Sequence, residues 1–421
     1  MKLNYKRTML IGLAFLSICA FWQFYDNEIP KILKNTFGMG ETLTGFIMAL
    51  DNILALFLLP FFGSLSDKVN TKIGKRMPFI LCGTALSAIL LIILVGFSAQ
   101  PAMLVPFIIV LLLLLIAMGT YRSPAVSLMP ELTPAPLRSK ANAVINLMGT
   151  VGGVYTLLMI KFLVHTPTDG SLTNYMPIAL SIVAIMVISV GILFISVPEK
   201  KCMHEMEHED MEDAEETEAK ATAGRKMPAD VKKSMIFLLL SVFFWFCAYN
   251  AVTTAFSRYV EQVWNLHNGE YADCLMVGTV AAVLAYLPIG MISQKIGRKK
   301  MIYAGIVMMA ISYACAILAV QYAFWVNILF AFVGIGWASI NVNSYPMVVE
   351  MSRAGDIGKF TGLYYTFSMA AQVFTPIASG FLLEHVSYQT LFPYAAFFMV
   401  VAGCTMAMVK HGDIDLKKAV Q

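Results

Sequence analysis

Twelve apolar runs, separated by short polar stretches, set the pattern of this chain. They lie near residues 8–33, 41–63, 78–98, 103–129, 142–164 and 175–197, and then near 233–259, 271–292, 301–320, 324–347, 358–383 and 389–410. A helix needs ~20 mostly apolar residues to cross hydrocarbon. Spanning segments must also satisfy their own backbone polar groups, which a helix does internally. The pattern therefore predicts an all-α polytopic membrane protein with twelve transmembrane helices in two sets of six. The first six-helix bundle is expected over 1–197 and the second over 233–421, joined by an acidic cytoplasmic linker over 198–232.

The polar stretches assign the sides. Between the second and third runs, Gly63 to Phe79 reads G-S-L-S-D-K-V-N-T-K-I-G-K-R-M-P-F and concentrates Asp67 with Lys68, Lys72, Lys75 and Arg76. A shorter version, G-M-I-S-Q-K-I-G-R-K-K, recurs from Gly290 to Lys300. In both copies a Ser follows the first Gly by three residues and a Lys follows it by five, so the halves read as an internal duplication. Cations beside hydrophobic spans stay on the cytoplasmic side. With the N-terminus inside, that side holds the cluster at 68–76, Lys295, Arg298, Lys299, Lys300 and the C-terminal lysines. Lys31, Lys34, Lys161 and Arg258 remain for the outer ends and loops. Both termini are thus expected in the cytoplasm, with the protein in the cell membrane.

Composition agrees and narrows the classes. Hydrophobic residues make up 58% of the 421 and charged residues 13%, against roughly 25% charged in a soluble domain. The net charge of +4 is accounted for by loop cations beside spans and gives no reason to expect a nucleic-acid partner. The seven cysteines are scattered singly, so neither a disulfide framework nor a metal knuckle is indicated. The linker run H-E-M-E-H-E-D-M-E-D-A-E-E-T-E repels itself and buries little. It reads as a solvated tether, and His204 and His208 within it lack the fixed surroundings that a metal site needs. No cofactor or metal is expected.

Ionisable residues within spans are costly and mark function. Asp51 in the second run and Arg122 in the fourth are the deepest. Asp26 lies toward the outer half of the first, with an interfacial and a functional reading both open, and Glu28 is expected near the outer water. No span contains histidine, so a proton carried through the membrane must ride on a carboxylate. Burial favours the protonated carboxyl and a nearby guanidinium favours the carboxylate. A changing distance between Asp51 and Arg122 would therefore take up and release a proton, with Asp26 as the alternative carrier. Polar and aromatic positions at helical spacing suit a substrate cavity: Trp22, Tyr25, Tyr121, Asn146, Asn250, Trp337, Asn341 and Gln372. Amides and flat aromatic faces together suit a sugar. Gly149 and Gly153 read as helix-packing positions.

The six-plus-six layout, the acidic linker and the duplicated loop resemble the major facilitator superfamily over essentially the whole chain. The long spacing from Asp67 to Gly74, the ending G-K-R-M-P-F, the stretch Y-R-S-P-A-V-S-L-M-P-E-L from Tyr121 and G-I-G-W-A-S-I-N-V-N-S-Y-P from Gly334 are similar to the sucrose-transporter-like and glycoside-pentoside-hexuronide cation symporters. Ala55 and Leu59 stand where melibiose-type members carry cation-binding aspartates, which argues against a sodium site of that kind. The resemblance implies two bundles related by a pseudo-two-fold axis, with a cavity at their interface and alternating access. It implies a gating loop comprising Gly63, Asp67, Lys68, Gly74 and Arg76, with Gly290, Lys295, Gly297 and Arg298 in the second copy. In that reading Asp67 caps a helix or pairs with a cation across the domain interface, and the loop cations anchor topology.

Three function classes follow. A proton-coupled sugar or glycoside symporter, disaccharide-like in substrate and acting as a monomer, is the reading preferred. An exporter or facilitator of small amphipathic compounds is the alternative, suggested by 28 methionines in strongly apolar spans. A membrane-embedded enzyme is disfavoured because no catalytic set can be assembled within the spans.

Overall fold

The computed structural model describes residues 3–133, 138–165, 167, 171–203, 228–266, 269, 271–351 and 357–413. The acidic run of the linker, with His204 and His208, lies outside the described residues.

Twelve long helices account for most of them: α1 Tyr5–Asn35, α2 Glu41–Lys68, α3 Met77–Phe97, α4 Leu104–Glu131, α5 Arg138–Leu163, α6 Met176–Ser196, α7 Ala229–Val263, α8 Tyr271–Ile296, α9 Arg298–Ala316, α10 Trp325–Met351, α11 Ile357–His385 and α12 Leu391–Ala407. Eleven are long and apolar enough to cross a membrane. The exception, α9, opens on Arg298, Lys299 and Lys300, and these cations lower its mean hydropathy. Phe57, Phe61, Ile89, Val105, Ile195, Leu284, Leu287 and Phe397 are exposed, an apolar exterior that hydrocarbon solvates and water would not.

The residues divide into two compact units. The first comprises Met1–Gly38, Leu50–Ala219 and His267–Gly269, and the second Met39–Ala49, Lys220–Leu266 and Glu270–Gln421. Each repeats one internal scheme. In the first, α1 packs on α5 and α6, and α3 on α4 and α6; in the second, α7 packs on α11 and α12, and α9 on α10 and α12. The duplication seen in the loops thus extends to the packing.

Without a hydrophobic force between helices in lipid, close association falls to small residues. A Cβ on Gly152 of α5 would lie 2.1 Å from the Leu16 carbonyl oxygen of α1, and one on Gly334 of α10 would lie 1.9 Å from the Gly278 carbonyl oxygen of α8. Backbone cannot rotate away as a side chain can. Gly152→Ala is therefore expected to destabilise the protein by about 1–3 kcal/mol through overpacking, read as a lowered unfolding midpoint in detergent. Gly96→Ala is the control, because open space surrounds that position, and it should be neutral or slightly stabilising.

Candidate functional site

The two duplicated loops share a geometry. In the first, the Gly63 carbonyl accepts from Ser66 Oγ at 2.8 Å. In the second, the Gly290 carbonyl accepts from Ser293 Oγ at 3.0 Å. The Gly–Ser spacing closes the helix end through a side chain, whereas the repeated lysines, Lys68 and Lys295, are exposed. Each loop then turns at a glycine with positive φ, Gly74 at 118° and Gly297 at 98°, a region that side chains disfavour.

A carboxylate from far along the chain completes each turn. Glu199, just after α6, is buried and accepts from the backbone N–H groups of Lys75 at 2.8 Å, Arg76 at 2.9 Å and Met77 at 2.8 Å. It thereby satisfies the free donors that open α3 and places a negative charge at that helix's positive end. Asp413, after α12, accepts from the N–H groups of Arg298 at 2.6 Å and Lys299 at 3.4 Å at the start of α9. A side chain at Gly74 would collide with Glu199, since its Cβ would sit 2.2 Å from Oε2.

The loop's charges depart from the expectation. Asp67, 58% exposed, pairs with Arg76 of its own loop, and that pair lies within one unit. Arg76 is a buried crosslink rather than a topology anchor. It donates to the Gly63 carbonyl at 3.1 Å, to Ser66, and through Nε to Glu131 of α4 at 3.1 Å. Burial works against its charge, but the Glu131 hydrogen bond and carboxylate, with Asp67, outweigh it and hold the pKa above its ordinary value. Lys75 joins Glu131 at 3.4 Å, and Arg298 reaches Glu350 at 3.4 Å, so both helix-end glutamates have cation partners. Lys68 and Lys72 are exposed.

Within the spans, the first unit brings together residues distant in sequence. Asp26 of α1, Asp51 of α2 and Arg122 of α4 lie within electrostatic reach of one another. The Arg122 guanidinium carbon is 5.4 Å from the centroid of the Trp22 ring, a cation–π distance. Trp22 meets Tyr25 edge-on at 5.2 Å, and Asn52 Nδ2 donates to Asp51 Oδ1 at 2.7 Å. Among the described residues, the buried Trp22 indole N–H and Tyr25 hydroxyl have no hydrogen-bond partner, so both can serve a bound molecule. Pro30 inside α1 has no N–H to give to the Asp26 carbonyl. That oxygen is a further acceptor at the same level.

Other predicted residues stand elsewhere. Tyr121 is fully buried; its hydroxyl donates to the Ala14 carbonyl at 3.0 Å and contacts Ser17, which joins α4 to α1 and withdraws the ring from any cavity. Asn146 is exposed on α5. Glu28, expected near outer water, is fully buried, as is Lys31, whose Nζ lies 3.5 Å from Glu28 one turn away. Arg258 is likewise buried and paired, with Glu41. Two of the cations assigned to outer ends are thus interior.

The second unit offers an aromatic platform. Trp337 of α10 stacks on Tyr249 of α7 with centroids 3.8 Å apart and planes 3° from parallel, and Phe246 closes its edge at 5.1 Å. Asn341 Nδ2 reaches the Trp337 carbonyl at 3.4 Å, and the Asn250 amide nitrogen has no hydrogen-bond partner among the described residues. Gln372 of α11 bonds the Ser368 carbonyl at 3.3 Å, and Pro376 in the same helix leaves the Gln372 carbonyl without an N–H from that position. Tyr249, beside Asn250 and one turn from Phe246 and Thr253, is absent from the predicted set.

Comparison with known proteins follows the same direction. A family model described as MFS/sugar transport protein matches residues 10–408. Over 138 residues the chain is 34% identical to sucrose transport protein SUC3 of Arabidopsis thaliana, an alignment that spans 28% of this chain and 23% of that protein. Among solved structures, the fold is similar to a D-xylose-proton symporter, with TM-score 0.73 and 15% identity over 97% of this chain and 98% of that one. It is also similar to the nucleoside transporter NupG, with TM-score 0.69 and 15% identity over 96% and 100%. At these identities the structural likeness bears on fold alone.

Proposed function

This chain belongs to the MFS/sugar transport protein family, and we propose that within it the protein carries a sugar or glycoside of disaccharide size in symport with a proton. The family and the structural neighbours are transporters, not enzymes. The observation that supports the finer reading is the convergence of Asp26, Asp51 and Arg122 beside Trp22 and Tyr25. Two carboxyls and one guanidinium make a site whose proton occupancy follows small displacements. The adjoining indole N–H, phenol and ring faces are the groups that sugar hydroxyls and C–H faces recognise.

In this reading Asp51 carries the proton, Arg122 sets its release, and Asp26 shares the site. Trp337, Tyr249, Asn250, Asn341 and Gln372 contribute substrate contacts from the second unit. The bundles over 1–197 and 233–421 work by alternating access as a monomer in the cell membrane. Both termini and the two duplicated loops face the cytoplasm. A potential of about 100 mV acting on one charge supplies ~2.3 kcal/mol, enough for roughly fifty-fold accumulation of a neutral sugar.

Counterflow in proteoliposomes against a panel of mono- and disaccharides, with and without a pH gradient, tests the reading. Counterflow of one or more sugars is expected with or without the pH gradient, and net uphill uptake of the same sugars only when a proton gradient drives it. Exchange confined to amphipathic non-sugars would place the protein with the exporters instead.

A further inference from the structure

On α5, Gly149, Gly152 and Gly153 face α1: the nearest atoms to a Cβ placed on each belong to that helix. Glycine in a helix interior is disfavoured relative to alanine, so each position asks for a reason. Packing supplies it for two of them. A Cβ on Gly152 would meet the Leu16 carbonyl oxygen at 2.1 Å, and one on Gly149 would meet Cys19 Sγ at 2.9 Å. Gly153 differs. Among the described residues, Gln23 Oε1 is the one atom within 4 Å of a Cβ there, and at 3.5 Å it makes an ordinary van der Waals contact. The shared reading of Gly149 and Gly153 as helix-packing positions thus holds for Gly149 and not for Gly153.

The room beside Gly153 is fixed by its neighbours. Gly152 takes the close approach of the two backbones, and Thr156 Oγ1, one turn further along α5, donates to the Ala20 carbonyl of α1 at 2.9 Å. A small shift of α1 cannot close the space without breaking those contacts. The adjoining face of α1 is also the open one. Phe21, Phe24 and Tyr25 are buried, whereas Cys19, Trp22, Gln23 and Asp26 are half-buried, and residues three and four apart share a helix face. Arg122 of α4 stands against this face at Trp22, and Gly153 of α5 at Gln23. The Gln23 backbone carbonyl accepts from Asn27 Nδ2 at 2.8 Å, but among the described residues no hydrogen bond engages its side-chain amide. A primary amide offers an acceptor oxygen and two N–H donors. A hydroxyl group, donor and acceptor at once, matches it.

We propose that Gln23 and Gly153 form a subsite beside the Trp22 ring for a hydroxyl-bearing substituent of the sugar. Gln23 bonds the hydroxyl, and Gly153 supplies the room, so this glycine limits the size of sugar accepted. The inference rests on the sugar reading given above and adds to it a recognition point outside the Asp26, Asp51 and Arg122 set.

Gly153→Ala and Gly153→Val are each measured by unfolding in detergent and by counterflow of sucrose, maltose, lactose, melibiose, glucose and xylose. Gly153→Ala should leave the unfolding midpoint unaltered or raise it, in contrast to Gly152→Ala, because its Cβ meets no backbone. Its KM for the sugars exchanged should nonetheless rise about tenfold, the order of effect of a methyl-sized change in a pocket, with the maximal exchange rate unchanged. Gly153→Val should raise KM further. Gln23→Ala should raise KM by a similar factor, and the double variant Q23A/G153A should be little worse than either single one, because both disturb the same contact. An unaltered KM in Gly153→Ala and Gln23→Ala would overturn the subsite. So would a midpoint for Gly153→Ala as low as that of Gly152→Ala, which would return the position to helix packing. If Gly153→Val fails to fold, Gly153→Ala decides by itself. Failure of the sugar reading looks different: the unaltered protein would then exchange no sugar of the panel, and the subsite would fall with it.

Discussion

Asp51→Asn is expected to abolish uphill uptake and substrate-driven proton movement while leaving substrate counterflow at or near its unaltered rate. Counterflow exchanges one substrate molecule for another without net proton release, so it needs the site and the conformational change but not the titrating group. The amide keeps the size of Asp51 and its contact with Asn52, which makes gross misfolding a weak explanation for any loss. If Asp51→Asn still concentrates substrate against its gradient, the proton rides elsewhere. Asp26→Asn is then the variant to measure, because Asp26 lies within reach of both Asp51 and Arg122.

Glu199→Ala is expected to be the most destabilising single change in the loop region, costing about 3 kcal/mol or more. Its carboxylate satisfies three backbone N–H groups at the start of α3, and each buried donor left without an acceptor costs ~1–3 kcal/mol. Asp413→Ala makes the informative comparison. Asp413 occupies the corresponding place before α9 but is exposed, and water replaces it at little cost. Denaturation in detergent should therefore show a large shift for Glu199→Ala and well under half of that for Asp413→Ala. Equal shifts would mean that burial does not set the strength of these caps.

The helices were readable from the chain because hydrocarbon imposes a one-dimensional rule. Long uncharged runs must span, and the polar stretches between them must not. That rule placed twelve helices in order, and it fails only at the margin, in α9, where three cations sit on the first turn. It does not register three-dimensional proximity. Glu199 lies more than a hundred positions from the turn that it caps, and nothing local marks it beyond an acid following the end of an apolar run.

The same limit explains the misplaced residues. Glu28 was assigned to the outer water by its depth along α1, but depth does not report which face is covered, and both it and Lys31 turn inward. Tyr121 has the composition of a sugar-binding residue, but its position on α4 directs its hydroxyl to Ser17 and the Ala14 carbonyl of α1. The spanning charges fared differently. Asp26, Asp51 and Arg122 were identifiable singly because each is expensive in an apolar span, and charges that costly gain by meeting. Tyr249 carried a weaker signal, since one more aromatic in an aromatic helix stands out only when Trp337 is seen stacked upon it.

Joint movement of sugar and proton is read from the pH outside proteoliposomes of the unaltered protein as sugar is added without any imposed gradient. Entry of sugar with a proton should make the outer medium more alkaline, in proportion to the sugar taken up and only for sugars that also show counterflow. Sugar entry with no change in outer pH would mean that sugar crosses without a proton.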